Sequence, residues 1–493
     1  YNSIKFIYPN FVKNYQRWSK LVKLAFYGGV KEIGGNKILL EDRGTKIFLD
    51  FGMSFKRRDM FFEEYLMPRS ANGIGDFLAT KLIPDIPGIY REDLLEHYGR
   101  KPEDAEVQGV ILSHAHADHA NYISFLHKDI PIYCGETCKY ILEAIDEQSQ
   151  RTIESEVLNF KKRPVYKSEY KNPPIERTFE TFRTGDKIKI DSLEIEPVHN
   201  DHSVPGSYSF VIHTSEGAVI YTGDLRMHGA HSHMTNDFIN AAKKSKPIAM
   251  ITEGTRIDTP KTDESEDKVY NESKKDLLKN KKLSIVDFNF KDVDRFATFY
   301  KIAKDLNKKL VISFKHACYL EKYHRDKKIR SPDSRDENIL ILKPKRLTGT
   351  YIDEDYSDWY IKKRLNYPNI ITAEEITKNP SKYMVVLNFW YFNMLVDLKP
   401  YGGTYIHSLS EPFNEEMEIS YERMMNWINN FDLKFVQSHC SGHINGDDLK
   451  QLIKTIHPEK IYPIHTEHPE LFSKLDVKTE AVEAVSYTHL RAH

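Results

Sequence analysis

The stretch SHAHADHA at residues 113–120 limits the fold of this chain more than any other feature. It places His114, His116, Asp118 and His119 directly behind the apolar run GVIL at residues 109–112. Imidazoles crowded in this way are either a chance cluster on a solvated loop or half of a metal site completed from elsewhere in the chain. In the second case the spacing has a use. His114 and His116 can aim both rings at one ion, while Asp118 and His119 turn to a second about 3.5–4 Å away, the separation found in two-metal hydrolases. A buried strand must feed such a loop, and residues 110–112 supply it.

The missing donors have to come from strand ends further along. His202 in NDHSVPGS, Asp224 in YTGDLR and His465 in YPIHTEHPE fit that requirement. Asp50 in FLDFG fits a carboxylate that orients a ligand histidine through its outer nitrogen. Taken singly, His202 or His465 would be an ordinary core or surface histidine; their order and strand-end context raise them.

The chain has 493 residues, 40% of them hydrophobic and 29% charged, enough for two or more globular domains. Lys+Arg 71 against Asp+Glu 72 leaves a net charge of -1, so a nucleic-acid partner has to be held by a local basic surface. Four cysteines without a pairing pattern point to a reducing compartment, and Cys134 and Cys138 lack the second pair of a zinc knuckle. The most apolar run, residues 383–396, contains Asn388 and Asn393 and reads as a buried core strand rather than a membrane span. With no secretory leader visible, a cytoplasmic location is expected.

Between residues 21 and 227 short strands alternate with tight turns and with the histidine and aspartate loops, the pattern of a layered α/β sandwich. Past Gly229 the rhythm becomes strand, helix, strand, which implies a mostly parallel sheet. Residues 228–436 are therefore expected to form an inserted α/β domain. It divides a first domain into residues 21–227 and 437–484. Residues 485–493, VSYTHLRAH, resemble a translated cloning adapter and are set aside as a non-native tail.

HxHxDH followed by a strand-end His, a Gly-Asp and a late His resembles the metallo-β-lactamase superfamily. Within it the chain is similar to the β-CASP nucleases, and most closely to their ribonuclease J-like branch. The matching stretches are FLDFG, SHAHADH, DHSVPGS, YTGDLR, ITEGTR, HCSGH and YPIHTEH. The resemblance implies an αββα metallo-β-lactamase sandwich carrying an inserted β-CASP α/β domain. It implies one ion on His114, His116 and His202, a second on Asp118, His119 and His465, and Asp224 between them. Glu253, His443 and His465 match the family's additional motifs, and a histidine at position 465 resembles the RNA-cutting branches.

The expected chemistry is a metal-dependent ribonuclease using two Zn²⁺, with Mn²⁺ or Mg²⁺ as alternatives. A bridging hydroxide attacks phosphorus, Asp118 serves the metal and Asp50 steadies a ligand. His443 protonates the leaving oxygen and Glu253 holds its tautomer. His439, Ser441 and Gly442 in HCSGH are expected to grip a phosphate, although Ser441 serves equally well as a turn cap. Residues 302–346 carry 13 Lys/Arg against 6 Asp/Glu with Phe314, Tyr319 and Tyr323 among them, either an RNA-tracking surface or a solvated helix face. His228, His231 and His233 follow GDLRM and are not assigned to metal. The expected partner is RNA, with no membrane and a homodimer or larger assembly. The alternatives are a small phosphodiester or ester hydrolase on the same site, disfavoured by the inserted domain, and a non-catalytic RNA-processing scaffold, disfavoured by the full ligand set. Exonuclease and endonuclease action are left open.

Overall fold

The computed structural model describes residues 22–490 apart from residues 64, 150, 164–172, 365, 411–414, 481 and 485. Residue 21 and residues 491–493, at the two ends of the expected organisation, lie outside the described residues. Two seven-stranded sheets lie face to face. The first runs, edge to edge, through Ser486–Leu490, Val22–Gly28, Lys37–Asp42, Thr45–Phe51, Gly109–Ile111, Ile132–Gly135 and Phe179–Phe182. The second runs through Lys478–Thr479, Lys460–Ile464, Ala249–Glu253, Ala218–Tyr221, Tyr208–His213, Leu193–His199 and Ile188–Ile190. The segment set aside as a tail thus contributes an edge strand, antiparallel to Val22–Gly28.

Side chains alternate across a strand, so a strand buried on both faces reads as a continuous apolar run. Thr45–Phe51 shows this: Ile47 and Leu49 enter the core between the sheets, while Phe48 and Phe51 face the outer layer with Tyr122, Phe125 and Ile141. The second sheet repeats the arrangement. Val219, Tyr221 and Ile251 point inward, and Ile220, Met250 and Ile461 pack under the helices Ser232–Ser245 and Gly446–Ile456. The result is the αββα metallo-β-lactamase fold. Its Lys37–Asp42/Thr45–Phe51 hairpin turns through Arg43 and Gly44, both with positive φ, the two-residue geometry that matches strand twist.

A third seven-stranded sheet is parallel throughout. Its order is Ile370–Thr372, Ile339–Lys343, Lys309–Ser313, Tyr383–Val386, Ser284–Asp287, Thr404–His407, Lys434–Gln437. The whole sheet falls between Ala249–Glu253 and Lys460–Ile464, which are themselves parallel neighbours in the second sheet. The boundary expected at residue 228 is therefore displaced. The helix Ser232–Ser245 buries Phe238, Ile239 and Ala242 against the second sheet, and Ala249–Glu253 pairs with Ala218–Tyr221, so the first domain continues to Glu253. A second correction concerns residues 383–396. Only Tyr383–Val386 is strand; Phe389–Met394 and Leu395–Leu398 turn into short helices.

Candidate metal centre

Every donor of the site stands at the end of a strand or in the loop after it. The strand Gly109–Ile111 delivers His114 and His116, and the short helix Ala117–Ala120 presents Asp118 and His119. His202 follows Leu193–His199, Asp224 follows Ala218–Tyr221 and His465 follows Lys460–Ile464. The ligand atoms of His114, His116, His202 and Asp224 all lie within 4.8 Å of one another, and so do those of Asp118, His119 and His465. His116 Nδ1 stands 3.0 Å from His114 Nε2 and 3.2 Å from His202 Nε2. Asp224 Oδ2 occupies the seam between the groups: His119 Nε2 is 3.1 Å away, His465 Nε2 3.6 Å, His114 Nε2 3.8 Å and His202 Nε2 3.9 Å.

Outer partners fix which nitrogen of each ring faces inward. His202 Nδ1 donates to the Gly442 carbonyl at 2.7 Å, leaving Nε2 for the centre. His119 Nδ1 donates to Asp50 Oδ2 at 2.6 Å. Thr255 Oγ1 donates to Glu253 Oε2 at 2.7 Å, so it accepts from His465 Nδ1 at 2.9 Å. Asp50 is fully buried and also accepts from Ser113 N and Ser113 Oγ, both at 2.7 Å, and from the Tyr221 hydroxyl.

The donor set suits divalent metal. Burial and neighbouring imidazoles hold His114 and His202 well below the usual histidine range, and burial together with the Lys291 ammonium takes His116 to about 3, so these rings are held neutral, the form in which an imidazole can bind a metal. Burial opposes the charge on His119 as well, but the Asp224 and Asp50 carboxylates overcome it and hold its pKa well above the ordinary value. His119 Nε2 and Asp224 Oδ1 are buried without a hydrogen-bond partner, the condition of atoms shaped to meet an ion. Five imidazoles with two carboxylates are donors of the kind that divalent transition-metal ions take.

His443 stands beside this cluster. Its Nδ1 lies 3.0 Å from Glu253 Oε2 and 3.8 Å from Asp224 Oδ2, and its side chain is 24% exposed, unlike the ligand histidines His114, His119 and His202. Burial pulls its pKa down, but the Glu253 carboxylate outweighs that and holds it up at about 9. Glu253 is anchored by the Leu225 N–H on its other oxygen at 2.7 Å. Thr255, which sequence reasoning passed over, is the node that touches Glu253, His443 and His465. Its only signal is a hydroxyl two residues past a strand-end glutamate.

Of the residues expected to grip a phosphate, His439 turns its Nδ1 to Arg295 Nη1 and the Ser408 carbonyl, and burial with the Arg295 charge takes its pKa to about 3. The Ser441 hydroxyl accepts from the His443 N–H at 3.1 Å, which is the turn-capping alternative. Gly442 is needed for close approach: a Cβ there would lie 2.5 Å from Ser203 Oγ and 3.3 Å from His202 Cε1. The basic run is partly paired and partly open: Lys327, Lys328, Arg330 and Arg335 are exposed. Phe314 and Tyr323 are buried, Lys322 pairs with Glu143 and Glu147, and Arg325 pairs with Glu143. Cys134 and Cys138 are both buried. Among the described residues His228, His231 and His233 join no metal-competent group, and no helix is long and apolar enough to cross a membrane.

Comparison with known proteins agrees with this geometry. Residues 84–243 match the model of a beta-lactamase superfamily domain, and residues 433–474 match a Zn-dependent metallo-hydrolase RNA specificity domain. Ribonuclease J of Helicobacter pylori strain 26695 is 21% identical over 472 residues, covering 91% of this chain and 56% of its own length. Ribonuclease J of Mycoplasma genitalium is 22% identical, covering 91% of this chain and 68% of that protein. The chain thus spans about half the length of the Helicobacter relatives. A crystal structure of a protein of unknown function from Enterococcus faecalis V583 superposes with a TM-score of 0.72 at 24% identity, over 95% of this chain and 100% of that one, and shows the same fold.

Proposed function

We propose that this chain, a ribonuclease J-like member of the metallo-β-lactamase superfamily, hydrolyses RNA phosphodiester bonds at the histidine–aspartate cluster with two divalent ions, zinc first among them. The observation that carries the proposal is the convergence of seven donors on two adjoining positions beside His443, whose Nδ1 lies 3.0 Å from Glu253 Oε2, with His443 and His465 both inside the stretch that matches an RNA specificity domain.

His114, His116 and His202 would hold one ion, Asp118, His119 and His465 the other, with Asp224 shared. Bound there, the ions would supply an activated water nucleophile and neutralise charge on the phosphate. The protein's own residues do the rest. Asp50 and Thr255 keep His119 and His465 in the tautomers that turn Nε2 inward. His443, charged through Glu253, is placed to give a proton to the departing ribose oxygen, a poor leaving group without one.

Incubating metal-loaded protein with end-labelled RNAs that carry triphosphate, monophosphate or hydroxyl 5′ ends, and sizing the products, tests the proposal. Mononucleotides identify a 5′ exonuclease and discrete fragments an endonuclease. Cleavage of an aryl phosphodiester but of no RNA would replace the proposal with a small-molecule hydrolase. Tight metal binding without any hydrolysis would replace it with a scaffold.

A further inference from the structure

We infer that His228 and Glu264 are positioning residues for His443: between them they fix the peptide groups on either side of Ser441, and so aim the loop that sets His443 against Glu253. The inference rests on the proton-donor role proposed above. Residues 440–444 belong to no helix or strand, so their backbone groups need partners from elsewhere. The Cys440 carbonyl accepts from Arg295 Nη2 at 3.1 Å, the Gly442 carbonyl from His202 Nδ1 at 2.7 Å and the His443 carbonyl from Arg256 Nη1 at 3.3 Å. Ile444 N donates to the Leu225 carbonyl at 2.7 Å. In the middle of the loop His228 Nε2 donates to the Ser441 carbonyl at 2.8 Å, and Ser441 N donates to Glu264 Oε2 at 3.1 Å. Peptide groups are planar, so holding the N–H before Ser441 and the carbonyl after it fixes both soft dihedrals of that residue. Those dihedrals set the direction in which Gly442 and His443 leave.

Both residues are built for this one contact. The His228 side chain is only 10% exposed, and its Nδ1 is buried without a hydrogen-bond partner among the described residues. Burial lowers its pKa below the ordinary histidine value, so the ring carries a single proton, on the nitrogen that meets the Ser441 carbonyl. An unmatched buried nitrogen is costly, and an apolar side chain would avoid that cost. What a histidine adds at position 228 is the bond to Ser441. Glu264 Oε1 accepts from Arg256 Nη1 at 2.6 Å and from Thr262 Oγ1 at 3.2 Å. Burial opposes the charge on Glu264, but the Ser441 N–H and Arg256 outweigh it and keep its pKa below the ordinary value. Its free oxygen is therefore a charged, strong acceptor for Ser441. Arg256 Nη1 reaches the His443 carbonyl as well, so Glu264 grips the loop directly at residue 441 and through Arg256 at residue 443. A proton donor must meet the departing oxygen within hydrogen-bond reach, which makes the aim of this loop part of the chemistry.

The test uses zinc-loaded protein in wild-type, His228→Leu, His228→Gln and Glu264→Ala forms, with metal content and melting temperature as controls. His228→Leu and Glu264→Ala should each slow single-turnover RNA cleavage roughly 10–100-fold, the penalty of a catalytic group misplaced by about 1 Å, and slow an aryl phosphodiester far less. His228→Gln, which keeps an N–H near the place of Nε2, should recover most of the rate. In a His443→Ala background His228→Leu should change RNA cleavage by less than about threefold, because its effect passes through His443. Slowing that adds to that of His443→Ala would overturn the inference, as would equal slowing of both substrates or loss of metal from either single variant. RNA cleavage by both variants within about threefold of wild type would overturn it too. A wild-type protein that cuts no RNA removes the nuclease proposal, and the positioning is then read from the NMR signals of the His443 ring, assigned through His443→Gln. His228→Leu and Glu264→Ala should move those signals and His228→Gln should restore them; signals that neither variant moves would overturn the positioning whatever the activity.

Discussion

Replacing Asp50 by asparagine tests the metal centre without touching a proposed ligand. Position 50 has φ +57, a conformation that asparagine tolerates as well as aspartate, so the backbone need not move. What changes is the pattern of donors. The carboxylate takes four donors, Ser113 N, Ser113 Oγ, the Tyr221 hydroxyl and His119 Nδ1. An amide offers one acceptor oxygen and an NH₂. The two hydroxyls can rotate to accept from that NH₂, but the His119 N–H cannot. Ser113 N–H, fixed on the other oxygen, competes for the one remaining acceptor, so either that buried N–H is left unmatched or the ring loses its partner or moves its proton to Nε2, the atom 3.1 Å from Asp224 that faces the centre. An unmatched buried donor costs about 1–3 kcal/mol. That agrees with the roughly 10–100-fold loss of metal affinity usual when a ligand histidine loses its outer carboxylate. The loss should fall on the ion of Asp118, His119 and His465 more than on the other. Competition against a chromophoric zinc chelator resolves the two affinities. Asp50→Asn protein that binds both ions within about threefold of wild type would refute the reasoning.

Three further outcomes are expected. His443→Ala should slow RNA cleavage roughly 10²–10⁴-fold but an aryl phosphodiester far less, with Glu253→Gln a milder copy; equal slowing of both substrates by His443→Ala would remove the proton-donor role. Gly442→Ala should force Ser203 and His202 apart at a cost of about 1–3 kcal/mol, read as a lower melting temperature and weaker metal binding, and Ser203→Gly should relieve it. Burial raises Asp287 to about 7 against the pull of the Tyr405 hydroxyl and the Phe389 N–H. Because its folded pKa exceeds the unfolded value of about 4, its contribution is fully present below that value and lost as pH rises through about 7. Asp287→Asn should therefore gain melting temperature over wild type between about pH 5 and 8, and a pH-independent difference would contradict the assignment.

The parts of the centre that were legible in sequence are those whose chemistry is local. His114, His116, Asp118 and His119 occupy six consecutive positions, and the strand that aims them is an unbroken apolar run. Asp224 and His465 were legible because each closes such a run. The domain boundary was not. Strand–helix–strand rhythm is the same whether the next strand joins the second sheet or the third. Only the pairing of Val219 with Ala249 and of Met250 with Ile461 assigns it, and the latter partners lie far apart in the chain. Pairing inside the basic run was hidden for a related reason. Counting charges over residues 302–346 cannot see Glu143 and Glu147, which meet Lys322 from the helix Glu136–Gln148.

Arg295 shows why the inserted sheet belongs to the site and not merely beside it. It is buried, donates to both oxygens of Glu266 at 2.8–3.1 Å, and holds the Ser408 and Cys440 carbonyls at 3.0 and 3.1 Å. Cys440 is three residues before His443, and Ser408 lies just past the strand Thr404–His407. One guanidinium thus ties the parallel sheet to the loop that carries the proposed proton donor. Arg226 makes the reciprocal link, from beside Asp224 to Asp201 at 2.9 Å and across to Asp294 at 2.8 Å. Buried charge pairs of this kind give little net stability, yet losing one partner costs about 3–5 kcal/mol. Such a pair penalises any arrangement in which the two domains separate. The His443 loop is then held against the histidine–aspartate cluster by side chains that belong to neither. The donors all come from the first domain, and these guanidinium links to the second leave no local mark in the sequence.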